Sequence, residues 1–141
     1  MSLYRGKSKN EADLIAGRYT DQGEIVERLN KLEEDTGWIK VNSFQNGATH
    51  WQNGSSPVRY RKIGKIVYLN GLLQSGTTGV QFTLPEGFRP SGLYNCFIVR
   101  YGTGTGRVFI NYNSENGDVY IENAVKGNET SLMCISFIAD N

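Results

Sequence analysis

The sequence predicts a mainly β protein: an antiparallel β-sandwich or barrel head preceded by a short N-terminal α-helical, coiled-coil-like segment. Three observations carry that prediction. Among 141 residues there are 17 glycines, 8 tyrosines and 6 phenylalanines, a composition suited to strands packed through aromatic side chains and joined by tight turns. The hydrophobic period changes near Gly37, from a helical repeat before it to an alternation of two after it. Turn signals then recur to the end of the chain, without a repeat of fixed period. The implied organisation is a helical oligomerisation or attachment segment over 1–37 and an all-β head over 38–141.

In the first segment, "DQGEIVERLNKLEEDTG" (21–37) reads as a helix. Asp21 is its N-cap, Glu24 closes a capping box and Thr36-Gly37 stops it. Ser8 and Glu11 form the same box for a shorter helix ending near Gly17. With Ile15, Gln22 and Leu29 at heptad a, positions d hold Arg18, Ile25 and Leu32, so only the second half of the seam is apolar. The pairs Glu24–Arg28 and Glu27–Lys31 add only about 0.2–0.5 kcal/mol each. A helix of this length is marginal alone, so Ile25, Leu29 and Leu32 need a partner surface. Either the helix packs on its own domain or it self-associates. Its narrow stripe at one end of the chain favours self-association, with Leu29 at a and Ile25 at d leaning toward three or four strands.

In the second segment, "VRYRKIGKIVYLNG" (58–71) alternates as a hairpin turning near Ile63-Gly64. "RVFINYNSENGDVYIENAV" (107–125) is another, with Val108, Ile110 and Tyr112 on one face and Asn116-Gly117 at the turn. "LYNCFIVRY" (93–101) and "SLMCISFIA" (131–139) are apolar on both faces, which predicts burial on both. With Trp38–Val41, a short strand near Trp51 and "VQFTL" (80–84), about eight or nine strands are expected. "FTLPEGFRPSGL" (82–93) interrupts this pattern with Pro85 and Pro90. Proline gives no ladder N–H, so Pro85 ends one strand, Pro90 delays the next, and Phe88 pins the connection to the core.

The segment "LPEGFRP", the strand "KIVYLNGLL" before it and the closing "ISFIAD" resemble the C-terminal head domains of bacteriophage tail and baseplate proteins. A short helix followed by a small all-β head also resembles the receptor-binding proteins of phages infecting Gram-positive bacteria. The resembling residues are Trp38, Ile66–Leu73, Leu84–Pro90, Asn116–Ile121 and Ile135–Asp140. The resemblance implies a trimeric helical bundle and homotrimer, a virion location at the tail tip or baseplate, and a head that binds a host cell-wall saccharide. A neighbouring tail or baseplate protein is the second expected partner.

Charge and motifs narrow the classes further. Fifteen basic against fourteen acidic residues give a net charge of +1, which argues against nucleic acid or an anionic membrane as partner. The N-terminal stretch lacks the apolar core of a signal peptide, and runs such as Cys96–Val99 are too short to span a bilayer. The expectation is synthesis in the host cytoplasm without membrane insertion. Cys96 and Cys134 have no CxxC partner and lie in apolar runs, so buried free thiols are expected. His50 lacks metal-ligand spacing, "GTGTG" (102–106) reads as a hairpin turn, and Glu86, Glu115, Asp118, Glu122, Glu129 and Asp140 read as solvated turn carboxylates. No catalytic group, metal or cofactor is expected; a wall-polymer hydrolase is the remote alternative.

Sugar binding asks for an aromatic face bracketed by hydrogen-bonding groups. "NGATHWQNGSSPVRY" (46–60) supplies His50, Trp51 and Arg59 between two Asn-Gly turns. Trp51 is either a core plug or a ligand platform, whereas Trp38, opening the first strand, is expected in the core. Tyr101, Arg107, Tyr112 and Asn113 flank the second glycine-rich loop and form the next candidate set.

Overall fold

Short alternating segments separated by glycine turns fold here into two antiparallel sheets. The computed structural model describes residues 23–30 and 34–139, and the chain divides into two units, Met1–Glu34 and Asp35–Asn141. In the first unit residues 23–30 are helical, with Ile25, Val26 and Leu29 about half exposed. The Asp21 cap, the Ser8–Glu11 box, Ile15, Arg18 and Leu32 lie outside the described residues.

In the second unit the four-stranded sheet runs β1 (Ile39–Lys40), β3 (Arg59–Ile63), β4 (Ile66–Asn70), β11 (Ser136–Ile138). The seven-stranded sheet runs β2 (Thr49–His50), β5 (Leu72–Gln74), β10 (Glu129–Ser131), β7 (Asn95–Tyr101), β8 (Gly104–Ile110), β9 (Asp118–Ile121), β6 (Gly79–Thr83). The expected hairpins form at Gly64, at Gly102 and at Gly117. Between the sheets lie Val67, Leu69, Leu73, Phe82, Val99, Val108, Ile110, Val119 and Ile121, each almost wholly withdrawn from water.

Two apolar runs that read as single strands each change sheet, which raises the described strands to eleven. "KIVYLNGLL" passes from β4 to β5 at Gly71, whose φ of 104° and closeness to Pro57 leave no room for a side chain: a Cβ there would lie 2.0 Å from the Pro57 carbonyl oxygen. "SLMCISFIA" passes back from β10 to β11 through 132–135. The crossings are bonded side by side, Leu132 N donating to Gly71 O at 3.0 Å and Leu69 N to Ile135 O at 3.0 Å. They form the corner that joins the two sheets.

Burial on both faces does not hold for 93–101 and 131–139. Their inner residues Phe97, Val99, Leu132, Ile135 and Phe137 face the core, while Leu93, Ile98, Met133 and Ile138 are exposed, Ile98 by 64%. Cys96 and Cys134 are free thiols on the exposed side, not buried ones. In β7 and β11 the reason is alternation, which exposes Ile98 and Ile138: in an antiparallel strand with one face on the core, the other face is open whatever its composition. Leu93 precedes β7 and Met133 lies in the turn between β10 and β11, outside any strand. Trp38 is likewise not a core residue. It is 39% exposed on the outer face of the four-stranded sheet, with the guanidinium of Arg59 4.6 Å and that of Arg61 5.6 Å from its ring centre. Just before it, Asp35 is ion-paired with Arg61, and Thr36 N donates to Lys62 O at 3.0 Å.

The proline connection takes its expected place between β6 and β7. Leu84 N donates to Gly117 O at 2.9 Å and Arg89 Nε to Leu84 O at 2.8 Å, fastening it to the β8–β9 loop. Phe88 pins it only in part: the ring is half-buried, edge-on to Tyr60 at 5.0 Å.

Candidate functional site

The structure separates the residues of the first candidate set. His50, on the short edge strand β2, has both ring nitrogens engaged by backbone: Nδ1 accepts from Val58 N at 2.9 Å and Nε2 lies 2.9 Å from Val41 O. An N–H donating to Nδ1 fixes the tautomer with the proton on Nε2. The ring is also edge-on to Phe44 at 4.8 Å, and burial lowers its pKa from 6.5. An open cavity of about 410 Å³ borders His50, with Lys40, Gln52, Asn53 and Gln74 among its lining. Neither Trp51 nor Arg59 lines it. Trp51 is half-buried, and Arg59 is occupied on the other sheet by Trp38 and by Asn70 Oδ1, which accepts from Nε at 3.1 Å.

Of the second set, Arg107, Tyr112 and Asn113 lie on or beside the outer face of β7–β8–β9, where sequence reasoning missed most of the aromatic surface, whereas Tyr101 has the inward phase of Phe97 and Val99 and packs against the core. Phe109 and Tyr120 stand opposite each other on β8 and β9. Tyr112 stacks on Tyr120 with ring centres 3.9 Å apart and planes 5° from parallel, and it meets Phe109 edge-on at 5.1 Å. Tyr94, 54% exposed, closes the group edge-on to Tyr112 at 5.2 Å. Phe109 is buried beside Tyr112 and Tyr120. Asn113 is exposed next to Tyr112. Along one flank Arg107 is ion-paired with Glu122, its guanidinium 5.7 Å from the Phe109 ring. Burial raises the Tyr112 phenol, and the neighbouring Glu122 carboxylate adds to that rise. Arg107 and Glu122 continue into a cavity of about 370 Å³ that Ile98, Tyr101, Thr105 and Asn123 also line. Within it the Tyr101 hydroxyl is tied to the backbone of Val125, accepting from N and donating to O at 3.2 Å.

Tyr112 therefore leaves the inner face expected for it beside Val108 and Ile110. The cause is Asn111, which follows β8 in the left-handed region at φ 61° and breaks the alternation. Asn111 is fully buried and fully bonded. Its side chain donates to Pro90 O and Gly92 O, each at 2.9 Å, and accepts from Gly117 N at 2.9 Å. Its carbonyl accepts from Tyr94 N at 2.8 Å. One side chain thus binds the end of the proline loop to the β8–β9 loop and sets Tyr94 against Tyr112. A two-residue turn at Asn116-Gly117 would set Phe109 opposite Ala124; the connection instead takes up 111–117 and Phe109 faces Tyr120, a pairing the turn signal did not carry. Tyr94 carried no signal either, because its position depends on a loop conformation.

No protein-family model and no curated protein sequence matches the chain. Among solved structures, the fold is similar to that of the receptor binding protein (gp15) of Listeria phage PSA, with a TM-score of 0.63 and 17% identity over 96% of this chain and 82% of that one. At that identity the likeness establishes a shared fold: a mainly β, antiparallel chain with a short N-terminal helix, built like the receptor-binding protein of a phage of a Gram-positive bacterium.

Proposed function

We propose that this chain is a non-enzymatic receptor-binding protein of a phage of Gram-positive bacteria, carried at the tail tip or baseplate, whose head recognises a host cell-wall saccharide. The observation that carries the reading is the tyrosine face, set in a fold shared along most of the chain with a phage receptor binding protein. Aromatic faces take the CH side of a pyranose, and flanking polar groups take its hydroxyls. Tyr94, Tyr112, Tyr120 and Asn113 offer both, with Arg107 and Glu122 alongside. His50, Trp51 and Arg59 support the head in this reading: their polar groups or faces are already engaged within the chain or lie apart. The carboxylates support a non-enzymatic role, since Glu115 accepts from Gly92 N, Asp118 from Thr83 and Asn116, Glu122 pairs with Arg107 and Glu129 with Arg100.

Assembly as a homotrimer fits the exposed Ile25 and Leu29 of the helix, with Leu32 next in the same seam. Three weak sites on one head would then engage a repeating polymer with avidity. A structural role, with the head bound to a neighbouring virion protein and no sugar, is favoured by a different observation: Ile66, Tyr68 and Ile138 form an exposed apolar strip across paired strands β4 and β11. Adsorption of the purified protein to cell walls from a panel of Gram-positive bacteria separates the two. Saturable binding lost in Tyr112→Ala supports the receptor reading; absence of binding to every wall supports the structural one.

A further inference from the structure

The tyrosine face has an electrostatic property that narrows its ligand. Among its charged neighbours Arg107 is paired with Glu122, while Glu115 and Asp118 keep their negative charge and are held by neutral donors, the Gly92 N–H, the Thr83 hydroxyl and the Asn116 amide. An anionic group seated on the tyrosines would have to recruit Arg107. Doing so would set the anion beside Glu122, whose own partner it had taken, and like charges at such separations repel. A neutral diol meets no such conflict, because one hydroxyl can donate to Glu122 while its neighbour accepts from Arg107, leaving the ion pair in place. The cavity of about 370 Å³ beside the pair gives the ring substituents somewhere to go.

We propose that this surface is a subsite for an uncharged pyranose unit, seated in the corner between Tyr94 and Tyr112, whose planes stand 79° apart, with its CH face on one ring and two adjacent hydroxyls bridging Arg107 and Glu122, any phosphate or carboxylate of the polymer lying outside it. The proposal rests on the receptor reading above and specifies which part of a wall polymer is read. It implies that recognition is carried by stacking and hydrogen bonds, so added salt has little effect on it.

The test uses the full chain with its tyrosine rings isotopically labelled, titrated separately with the methyl pyranosides of glucose, galactose, rhamnose and N-acetylglucosamine, and with glycerol 3-phosphate and glucuronate. The expected result is that at least one neutral pyranoside shifts the ring signals of Tyr94, Tyr112 and Tyr120, that its affinity changes by less than about twofold between roughly 50 and 500 mM NaCl, and that the two anions leave those signals in place. Arg107→Gln should weaken the pyranoside by about tenfold, the loss of one charged hydrogen bond, with an unchanged melting temperature as the control on folding. Shifts produced by the anions and abolished by salt would overturn the proposal, and so would silence of the tyrosines toward every pyranoside. If the same protein still adsorbs to Gram-positive walls, the subsite is wrong and the receptor reading stands; if it adsorbs to none, the receptor reading falls with it.

Discussion

Replacing His50 by alanine separates a folding role from a binding role at a single residue. The imidazole accepts from Val58 N at 2.9 Å, and Val58 is 1% exposed, so truncation strands a backbone donor that water reaches poorly. A buried donor left unmatched costs about 1–3 kcal/mol. The Val41 carbonyl loses its Nε2 partner as well, and the edge-on contact with Phe44 at 4.8 Å disappears, a contact of a kind worth about 0.5–1.5 kcal/mol. Together these amount to roughly 2–4 kcal/mol, or a fall in Tm on the order of 10–15 °C for a domain of this size. Acid should act through the same ring. Burial holds the folded pKa below 6.5, so the unfolded chain takes up the proton first; the contribution is complete above pH 6.5 and is lost as pH falls from there through the folded pKa. Protonation would turn Nδ1 from an acceptor into a donor facing another donor. Differential scanning calorimetry of parent and His50→Ala between pH 8 and 5 measures both effects, with the pH slope flatter in the variant. A variant that melts within 2 °C of the parent yet no longer binds cell wall would refute this reasoning and make His50 a ligand contact.

Three further outcomes are expected. Phe88→Ala should cost about 1.5–3 kcal/mol in urea unfolding rather than the larger loss of a fully enclosed ring, because only part of its area is withdrawn from water. Light scattering of the parent should give three times the chain mass, and Leu29→Asp should lower it; a parent mass near one chain would refute assembly through the helix. Arg61 holds the Asp35 carboxyl down to about 2, so the Asp35–Arg61 contact is intact above the ordinary value of 3.8 and is lost as pH falls through about 2; Asp35→Asn should remove that acid-dependent step from the Tm profile.

Much of the fold was legible because it depends on local chemistry. Asn116-Gly117 and Gly64 demand turns, Pro85 ends a ladder, and alternation marks the strands between. What misled was apolar composition read as burial. Ile98 and Ile138 are as hydrophobic as Val99 and Phe137, and only their phase relative to the core distinguishes them; Met133 differs from Leu132 and Ile135 because it sits in the turn of the sheet crossing. The sheet crossings at Gly71 and 132–135 were hidden for a related reason: an uninterrupted apolar run does not reveal which sheet each half joins. The candidate site was legible in part. Tyr112, Asn113 and Arg107 stood out by their position beside a glycine-rich loop, but Tyr94 enters only because a buried asparagine, Asn111, bonds two loops distant in sequence. His50 and Arg59 looked available because a sequence shows a polar group without showing that Val58, Val41 or Trp38 already occupies it.

The tyrosine face is the surface proposed to meet the host. Tyr112 contacts Tyr94, Phe109 and Tyr120, so Tyr112→Ala dismantles the face while leaving the core residues between the sheets in place. The decisive measurement is the dissociation constant of parent and Tyr112→Ala on host cell wall, taken on protein whose melting curve and mass are recorded in parallel. Loss of one stacking ring predicts weakening of about tenfold or more per site, with the variant still folded and assembled. A folded, assembled Tyr112→Ala that binds the wall as tightly as the parent would contradict the account.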